Sequence, residues 1–380
     1  MRFVAMTVSL VLACVSAVLS ADEKAGPETL LLKDYRPQSV YKTGGTQVQK
    51  ARYPAVDMHA HAYARTPQEL RRWVELMDEV GIGKAVILTG ATGKRFDDLC
   101  TMYSQYPDRF ELWCGLDYTG YDKPGFGPAA VKELERCYAA GARGVGELGD
   151  KGKGLFYSEP TKAWGMHLDD PRMDPLLGKC AELKMPVNIH VADPYWMYLP
   201  MDARNDGLMN AYKWRLDNQP DIIGLEGMLE ILERAVRRHP KTTFVACHFA
   251  NCCYDLNRLG RMLDACPNLY ADISARYAET AAIPRFAAAF YEKYQDRLVY
   301  GTDMHFSRSV YEVTFRILES SDDHFYAWDH FSYHWPLYGL GLSDAVLEKV
   351  YRQNAMGLLQ RQPGPSPSPV RSDVTPTSVN

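Results

Sequence analysis

Short apolar runs alternate with segments of helical periodicity along most of the chain, and this alternation limits the folds open to it. Eight of these runs are typical of strands: Ala55–His61, Lys84–Gly90, Phe110–Tyr118, Ala142–Gly149, Pro186–Ala192, Thr243–Phe249, Asn268–Ser274 and Leu298–Asp303. Helical segments lie between or after them, at Pro67–Val80, Pro128–Ala140, Asp174–Leu183, Gly227–Arg238, Tyr254–Ala265 and Asp344–Leu359. Because strands this apolar are buried on both faces, the pattern predicts an α/β fold, a closed (β/α)8 TIM-like barrel.

Two features of the connections refine this prediction. The turn after the first strand lacks the Gly-x-Gly-x-x-Gly sequence of dinucleotide-binding folds, which disfavours the alternative, an open doubly wound sheet. The connections 193–224 and 320–342 are unusually long and rich in aromatic residues. We interpret both as following strands and expect them to lie over the carboxyl-terminal mouth of the barrel, where barrel enzymes bind substrate.

The N-terminal segment differs from the rest of the chain. Residues 1–21 combine Arg2, an apolar stretch and small residues before Asp22, which is the pattern of a signal peptide. A retained membrane anchor is one alternative, because an apolar run of this length is close to what spans a bilayer. A lipoprotein anchored through Cys14 is another. We expect a periplasmic or secreted protein, associated with a membrane only if this segment is retained.

The rest of the chain divides into three parts. Residues 22–50 are expected to form an irregular, exposed lead-in, residues 51–360 the barrel, and residues 361–380 a disordered tail rich in Pro and Ser. The cysteines after the signal segment have neither C-x-x-C spacing nor that of a small disulfide scaffold, so no pairing is assigned. Those within apolar patterns, such as Cys247, are interpreted as small buried hydrophobic residues.

Composition excludes several classes of function. With 46% hydrophobic and 24% charged residues, the chain can bury a large core and is neither disordered nor collagen-like. The chain has 43 Lys and Arg residues and 47 Asp and Glu residues. The resulting net charge of −4 provides no excess of positive charge to attract nucleic-acid phosphates. We therefore expect a small-molecule substrate and not nucleic acid, and homo-oligomer formation is left open.

Histidine and acidic residues collect at the carboxyl ends of the predicted strands. His59 and His61 end the first strand two residues apart, so both side chains project to one face and can share a metal ion. Three further strands end in the same way, in His190, His248 and Asp303. Imidazole and carboxylate ligands together favour a borderline or hard divalent ion with a coordination position open for water.

These features together resemble the amidohydrolase superfamily, and more narrowly its amidohydrolase-2 branch, which includes aminocarboxymuconate-semialdehyde decarboxylase-like enzymes and lactone hydrolases. The resemblance covers about Ala55 to Leu359. It rests on Asp57-Met58-His59-Ala60-His61, His190, His248, Gly301-Thr302-Asp303, and the segment Leu342 to Tyr351 with Asn354-Ala355. It implies that His59, His61, His190 and Asp303 bind a catalytic divalent metal, often zinc. It also implies that His248 binds a second metal or polarises the substrate.

The resemblance leaves open whether one ion or two are bound. Glu147 ends the fourth strand and is either a further ligand or a structural carboxylate. It stands where related hydrolases, including TatD-like deoxyribonucleases, use a glutamate ligand. Other members of the superfamily carry a carboxylated lysine on that strand, whereas here Lys151 lies beyond it.

A metal-dependent reaction needs acid–base and substrate-binding groups in addition to the ligands. Asp303 can accept a proton from the attacking water, and His248 can stabilise the developing oxyanion. Arg276, just past the seventh strand, is either a clamp for a substrate carboxylate or a solvated surface residue. Among residues of the long connections, Trp196 is expected to roof the pocket and His334 to contact substrate.

Three functions remain. The first is a metal-dependent hydrolase of a small lactone, ester or amide, which export favours. The second is a non-oxidative decarboxylase of an unsaturated or aromatic acid, which the same ligand set supports. The third, a sugar- or polymer-binding barrel without catalysis, is disfavoured by the intact set of ligands, and a TatD-like nuclease is disfavoured by the acidic balance.

Overall fold

A computed structural model describes residues 26–159 and 161–359 of the chain. These residues fall into two units. The first, residues 26–36, contains the short 3-10 helix Leu32–Asp34. The second, residues 37–359, contains all the other elements. The predicted signal peptide over 1–21 and the predicted tail over 361–380 lie outside the described residues.

Eight parallel strands form the centre of the larger unit, with a short antiparallel hairpin beside them. The ten strands are β1 (Ala55–Ala60), β2 (Ile82–Leu88), β3 (Phe110–Trp113), β4 (Val145–Asp150), β5 (Gly154–Leu155), β6 (Ala163–Trp164), β7 (Val187–Val191), β8 (Phe244–Ala246), β9 (Leu269–Asp272) and β10 (Leu298–Val299). The parallel order is β1-β2-β3 in one sheet and β4-β7-β8-β9-β10 in the other, and β5 pairs with β6. Backbone hydrogen bonds join the sheets on both sides, from Cys114 N to Gly144 O (2.9 Å) and from Met58 N to Tyr300 O (2.9 Å). The (β/α)8 barrel predicted from the sequence is therefore confirmed.

The helices follow the strands in the order that the barrel requires. They are α1 (Pro67–Val80), α2 (Gly93–Tyr103), α3 (Pro128–Ala140), α4 (Asp174–Glu182), α5 (Leu208–Ala211), α6 (Leu225–Arg238), α7 (Leu256–Ala265), α8 (Tyr277–Ala281), α9 (Pro284–Tyr294), α10 (Arg308–Glu319), α11 (Asp344–Glu348) and α12 (Asn354–Leu359). Helix α1 has the predicted bounds, because the Thr66 side chain accepts a hydrogen bond from Glu69 N at its start and Gly81 adopts a left-handed conformation at its end. The prediction for α3 is confirmed to the residue.

Several elements differ from the predictions at their ends. Strand β3 stops at Trp113 and β10 at Val299, before the predicted ends, because the backbone there turns into the loops of the barrel mouth. The predicted helix Asp344–Leu359 contains a π turn, Lys349–Gln353, and Val350 O in this turn accepts a hydrogen bond from Tyr300 N (2.9 Å). The connection 320–342 follows α10 and not a strand, which corrects its predicted place in the chain.

Apolar side chains close the barrel on the side away from its mouth. Val56, Met58 and Trp113 pack there with residues of the last helix, including Ala355 and Leu358. A Cβ at Gly144 would lie 2.2 Å from the Trp113 ring, so glycine is required where the fourth strand passes this side chain. This packing leaves the carboxyl-terminal end of the barrel as the place for polar groups.

Three further observations bear on the predictions. Residues 37–50 are mostly exposed and are held by Thr46, whose backbone N and Oγ1 donate to Asp322 at 2.7 and 2.6 Å. All eight cysteines in the described part of the chain are free thiols, and only Cys100 among them is not buried. Among the described helices, none combines the length and the apolar character that crossing a membrane requires.

Candidate metal centre

Six side chains from separate parts of the barrel converge at its carboxyl-terminal end. His59 and His61 lie at and just after the end of β1, and Glu147 and His190 lie on β4 and β7. His248 and Asp303 follow β8 and β10 in the loops of the mouth. The structure therefore brings together all six residues that the sequence singled out.

Two carboxylates lie at the middle of this group. Asp303 Oδ1 is 3.0 Å from His61 Nε2 and 3.6 Å from His59 Nε2. Glu147 Oε2 is 3.4 Å from His61 Nε2 and 3.6 Å from His59 Nε2. His248 Nε2 completes the ring, 3.5 Å from Asp303 Oδ2 and 3.6 Å from Glu147 Oε1. Three imidazole nitrogens thus face two carboxylates across a small space.

The second ring nitrogen of each of these three histidines is held by a hydrogen bond. Nδ1 of His61 donates to Leu88 O (2.9 Å) and Nδ1 of His248 donates to Ser274 O (3.0 Å). Nδ1 of His59 lies 2.9 Å from Asp272 Oδ2. A histidine whose Nδ1 carries the proton presents the Nε2 lone pair, which is the form that binds a metal.

A buried nitrogen without a partner marks the centre of the site. His59 Nε2 is fully buried and makes no hydrogen bond with the described residues. Leaving such a group unpaired is costly, whereas a divalent ion would satisfy it together with the surrounding carboxylates. Two sets of ligand atoms, each within 4.8 Å of one another, contain His59: one with Glu147, Cys247 and His248, and one with His61 and Asp303. The residues present therefore fit a divalent metal.

His190 belongs to neither of these two sets but contacts a member of one of them, Glu147. Its Nδ1 is 2.8 Å from Glu147 Oε1, and its Nε2 is 3.4 Å from Asp193 Oδ1. Lys151 Nζ contacts the same Asp193 oxygen at 3.0 Å. His190 Nε2 is buried and, like His59 Nε2, makes no hydrogen bond with the described residues. Glu147 and His248, which the sequence left as optional ligands, belong to the set that contains His59.

Opposite charges in the site shift the pKa values of its members. Burial alone would lower the pKa of His59, but the Asp272, Asp303 and Glu147 carboxylates outweigh it and hold this pKa well above 6.5. Burial alone would raise the pKa of Asp303, but the imidazoles around it outweigh this effect and hold the pKa at about 2. Burial lowers the pKa of His248, so its neutral form, with the Nε2 lone pair, is favoured. That form suits a metal ligand better than a donor to an oxyanion.

The backbone around the site is unusual. Four consecutive residues from His248 to Asn251 have positive φ angles of 51–58°, and Asp303 has a φ of 48°. Such conformations are costly for residues with side chains and occur mainly where function requires them. Gly301 precedes Asp303, and a Cβ there would lie 2.7 Å from the His59 Cβ, so glycine allows this close approach.

Two cavities open from the group of ligands. The first, of about 390 Å³, is lined by His61 and Glu147 and by the glycine backbone of the mouth. The second, of about 310 Å³, is lined by His248 and Arg276. Lys151, His190 and Asp303 line both, so the two cavities meet beside the candidate ligands.

Arg276 lies inside the second cavity and is not a solvated surface residue, since its side chain is only 12% exposed. Its Nε and Nη2 donate to Asn251 Oδ1 at 3.0 and 2.8 Å, and its Nη1 donates to Ala275 O at 3.1 Å. The Glu279 carboxylate also lies 3.8 Å from Nη1. These contacts fix the guanidinium, and its remaining N–H groups can bind an anion.

The aromatic and histidine residues predicted to contact substrate occupy different places. Trp196 packs against Tyr333 and Trp335 in the long connections, and His334 lies 3.6 Å from Asp206. Neither Trp196 nor His334 lines the two cavities, whereas Trp214, His330 and Tyr333 from the same connections do. The long connections therefore reach the site, as expected, through Trp214, His330 and Tyr333 and not through Trp196 or His334.

Sequence reasoning missed three residues of the site. Asp272 ends β9 and holds His59, and its position at a strand end was a signal that could have revealed it. Asn251 holds Arg276, and Cys247 Sγ lies in one set of candidate ligands while donating to Asn188 Oδ1 (2.9 Å). No pattern separated Asn251 or Cys247 from ordinary loop or core residues.

Comparisons with known proteins concern the fold and the family of the chain. None of the curated proteins that were compared matches the chain. A proposed amidohydrolase of Staphylococcus aureus has a similar structure, with a TM-score of 0.50 and 15% identity over 80% of this chain and 99% of that chain. This similarity supports the barrel fold.

Two further structures are less similar. A proposed 2-pyrone-4,6-dicarboxylic acid hydrolase of Pseudomonas putida has a TM-score of 0.49 and 17% identity over 81% of this chain and 98% of that chain. The 5-carboxyvanillate decarboxylase of Sphingomonas paucimobilis has a TM-score of 0.45 and 15% identity over 76% of this chain and 82% of that chain. The neighbours thus include both hydrolases and decarboxylases by name.

A family model provides the assignment. The model of the second amidohydrolase family matches residues 28–361, which is most of the chain. The match includes every residue of the candidate metal centre. The chain therefore belongs to the amidohydrolase-2 family of metal-dependent enzymes.

Proposed function

We propose that this chain is a metal-dependent hydrolase that cleaves a small lactone, ester or amide carrying a carboxylate. The observation that carries the proposal is the buried, unpartnered His59 Nε2, which faces the Glu147 and Asp303 carboxylates beside the cavity of Arg276. Zinc fits this mixture of imidazole and carboxylate ligands. The proposed ligands are His59, His61, His248, Glu147 and Asp303, with His190 positioning Glu147.

The roles of the residues follow from their contacts. A divalent ion bound there would lower the pKa of a water ligand towards neutrality and polarise the bond to be cleaved. Asp303 lies at the junction of both cavities, where its carboxylate can accept a proton from the attacking water and pass it to the leaving group. Arg276, fixed by Asn251, can bind the substrate carboxylate and hold the reacting bond beside Asp303.

A panel of lactones and esters, each with and without a carboxylate, tests this proposal. We expect elemental analysis to find at least one zinc ion per chain, and turnover to depend on it. The Asp303→Asn variant should stay folded and lose turnover, because an amide cannot take up the proton. Arg276→Ala should raise KM for the acids by about tenfold and leave that for neutral analogues near the wild-type value. Arg285→Ala, an exposed arginine on α9, is the control.

Two outcomes would contradict the proposal. A protein that takes up no divalent metal, or takes up as much after His59→Ala and His61→Ala, would remove its basis. Release of carbon dioxide from an unsaturated or aromatic acid, without hydrolysis of any lactone, ester or amide, would identify a decarboxylase instead.

A further inference from the structure

A third cavity, of about 240 Å³, opens beside the candidate metal centre and has no role in the function proposed above. One wall belongs to the hairpin β5–β6 and its turn and carries Phe156, Tyr157 and Trp164. The opposite wall belongs to the connection 193–224 and carries Leu216 and Ile222. The cavity is therefore a cleft between two loops of the barrel mouth.

Backbone contacts hold the two walls together. Ile223 N donates to Gly152 O (3.1 Å), and a Cβ at Gly152 would lie only 2.5 Å from Ile223 O. Across the hairpin, Leu155 N donates to Met166 O (2.8 Å). The width of the cleft is thus set by the main chain and not by side-chain rotamers alone.

The aromatic wall is unusually open to solvent. Trp164 is 52% exposed and Tyr157 is 57% exposed. The Trp164 ring packs against Phe156 with ring centres 4.0 Å apart, which fixes the indole while leaving half of the residue uncovered. Adjacent exposed aromatic rings in a cleft are typical of a surface that binds a ligand by stacking.

The charges around the cleft are positive. Lys151 and Lys153 line it, and no carboxylate is present among the described residues of its lining. Asp193, outside the lining, pairs with Lys151 at 3.0 Å, so Lys153 provides the ammonium group for a ligand. The Lys151 ammonium lies 5.2 Å from the centre of the Tyr157 ring. A flat ring that carries a negative charge matches both features, because it can stack on the aromatic wall and pair with an ammonium group.

Lys151 also connects the cleft to the candidate metal centre. It lines this cleft and both cavities that contain Asp303 and His190. Tyr157 lines the cleft and the first cavity. We propose that the cleft is a binding subsite for a planar, negatively charged ring, which is the part of the substrate remote from the reacting bond. The link to substrate rests on the proposed hydrolase function.

Calorimetric titration of the purified chain with naphthoate, a planar acid, tests the subsite. We expect saturable binding, and weaker binding of the neutral naphthamide by about fivefold or more. Trp164→Ala and Lys153→Met should each weaken naphthoate binding by about fivefold or more, since the first removes the stacking surface and the second removes the ammonium group. Phe286→Ala removes an aromatic residue that is 47% exposed but lies outside the three cavities, and should have no effect.

Repeating the titration after chelator treatment separates this subsite from the metal centre. Binding should persist in metal-free protein and in the Arg276→Ala variant. Three results would overturn the subsite: no binding of naphthoate, binding that is unchanged in Trp164→Ala and Lys153→Met, or binding that is lost when the metal is removed. If naphthoate binds as expected but the lactone and ester panel shows no turnover, the hydrolase proposal fails and the subsite stands.

Discussion

At the scale of single residues, Asp272 organises the metal centre without facing its interior. One carboxylate oxygen lies 2.9 Å from His59 Nδ1, and the other accepts from His248 N (2.9 Å) and Ser274 N (3.1 Å). The carboxylate is fully buried, yet its neighbours hold its pKa below the ordinary value against the effect of burial. Asp272 therefore fixes two of the proposed ligands with one charge.

Replacing this charge should weaken metal binding without removing a ligand. We expect Asp272→Asn to lower zinc affinity by about 10- to 100-fold, because the amide holds the His59 ring less firmly and makes its Nε2 less basic. Competition with a zinc-binding dye measures the change. Asp264→Asn, on the surface of α7, is the control, and an unchanged affinity in Asp272→Asn would refute this role.

At the scale of elements, Asp150 joins the strand that carries Glu147 to the hairpin of the proposed subsite. Its Oδ1 accepts from Gly152 N (3.0 Å) and Gly154 N (3.2 Å). Its Oδ2 lies 2.7 Å from His167 Nδ1, beyond the second hairpin strand. A single buried carboxylate thus fixes the end of β4 and the turn that follows it.

This contact should make stability depend on pH. The hydrogen bond that His167 Nδ1 donates to the Asp150 carboxylate raises the pKa of His167 above 6.5, against the opposing effect of burial. The contribution to stability is therefore full below about pH 6.5 and is lost as the pH rises through the folded-state value. We expect His167→Gln to lower the free energy of unfolding by about 1–2 kcal/mol at pH 6, and by less at pH 9.

Urea unfolding of wild type and His167→Gln across this pH range measures the difference. Asp150→Asn removes the charge that favours the protonated imidazole, so in this background the His167→Gln effect should no longer vary with pH. A His167→Gln effect of the same size at every pH in the wild-type background would contradict the charged contact.

At the scale of the whole molecule, the cysteines are part of the packing. Seven of the eight in the described residues are buried, and burial raises the pKa of several of these thiols, for example that of Cys180 to about 12. Cys100 is partly exposed, but burial also raises its pKa to about 12. Because burial also keeps reagents away from the thiols, the folded protein should react slowly with thiol reagents.

Thiol counting tests this prediction and the expected removal of residues 1–21 together. Folded protein should react with an aromatic disulfide reagent at no more than one thiol per chain, that of Cys100. Denatured protein exported from cells should react at eight, the number of cysteines in the described residues. A ninth thiol would show that Cys14 is retained, and a lower count under denaturing conditions would show disulfides.

The sequence alone determined the barrel and which six side chains, among them Glu147, meet at its mouth. Hydrophobic periodicity is a local property of the chain, so it gave α1 and α3 their bounds. His59, His61, His190, His248 and Asp303 could be predicted to meet because the strands of a parallel barrel all end at the same side. The sequence also indicated Arg276, but it could not decide whether this side chain lies on the surface or in the cavity.

Only the tertiary structure decided what each of these residues faces. The angle of a ring depends on partners distant in sequence, such as Asp272 for His59 and Ser274 for His248, and these contacts select the nitrogen left for a metal. The same holds for His190, which faces Glu147 and Asp193, and for Arg276, which Asn251 turns into the cavity. Strand ends determine which residues meet, whereas packing and hydrogen bonds between loops determine how they are oriented.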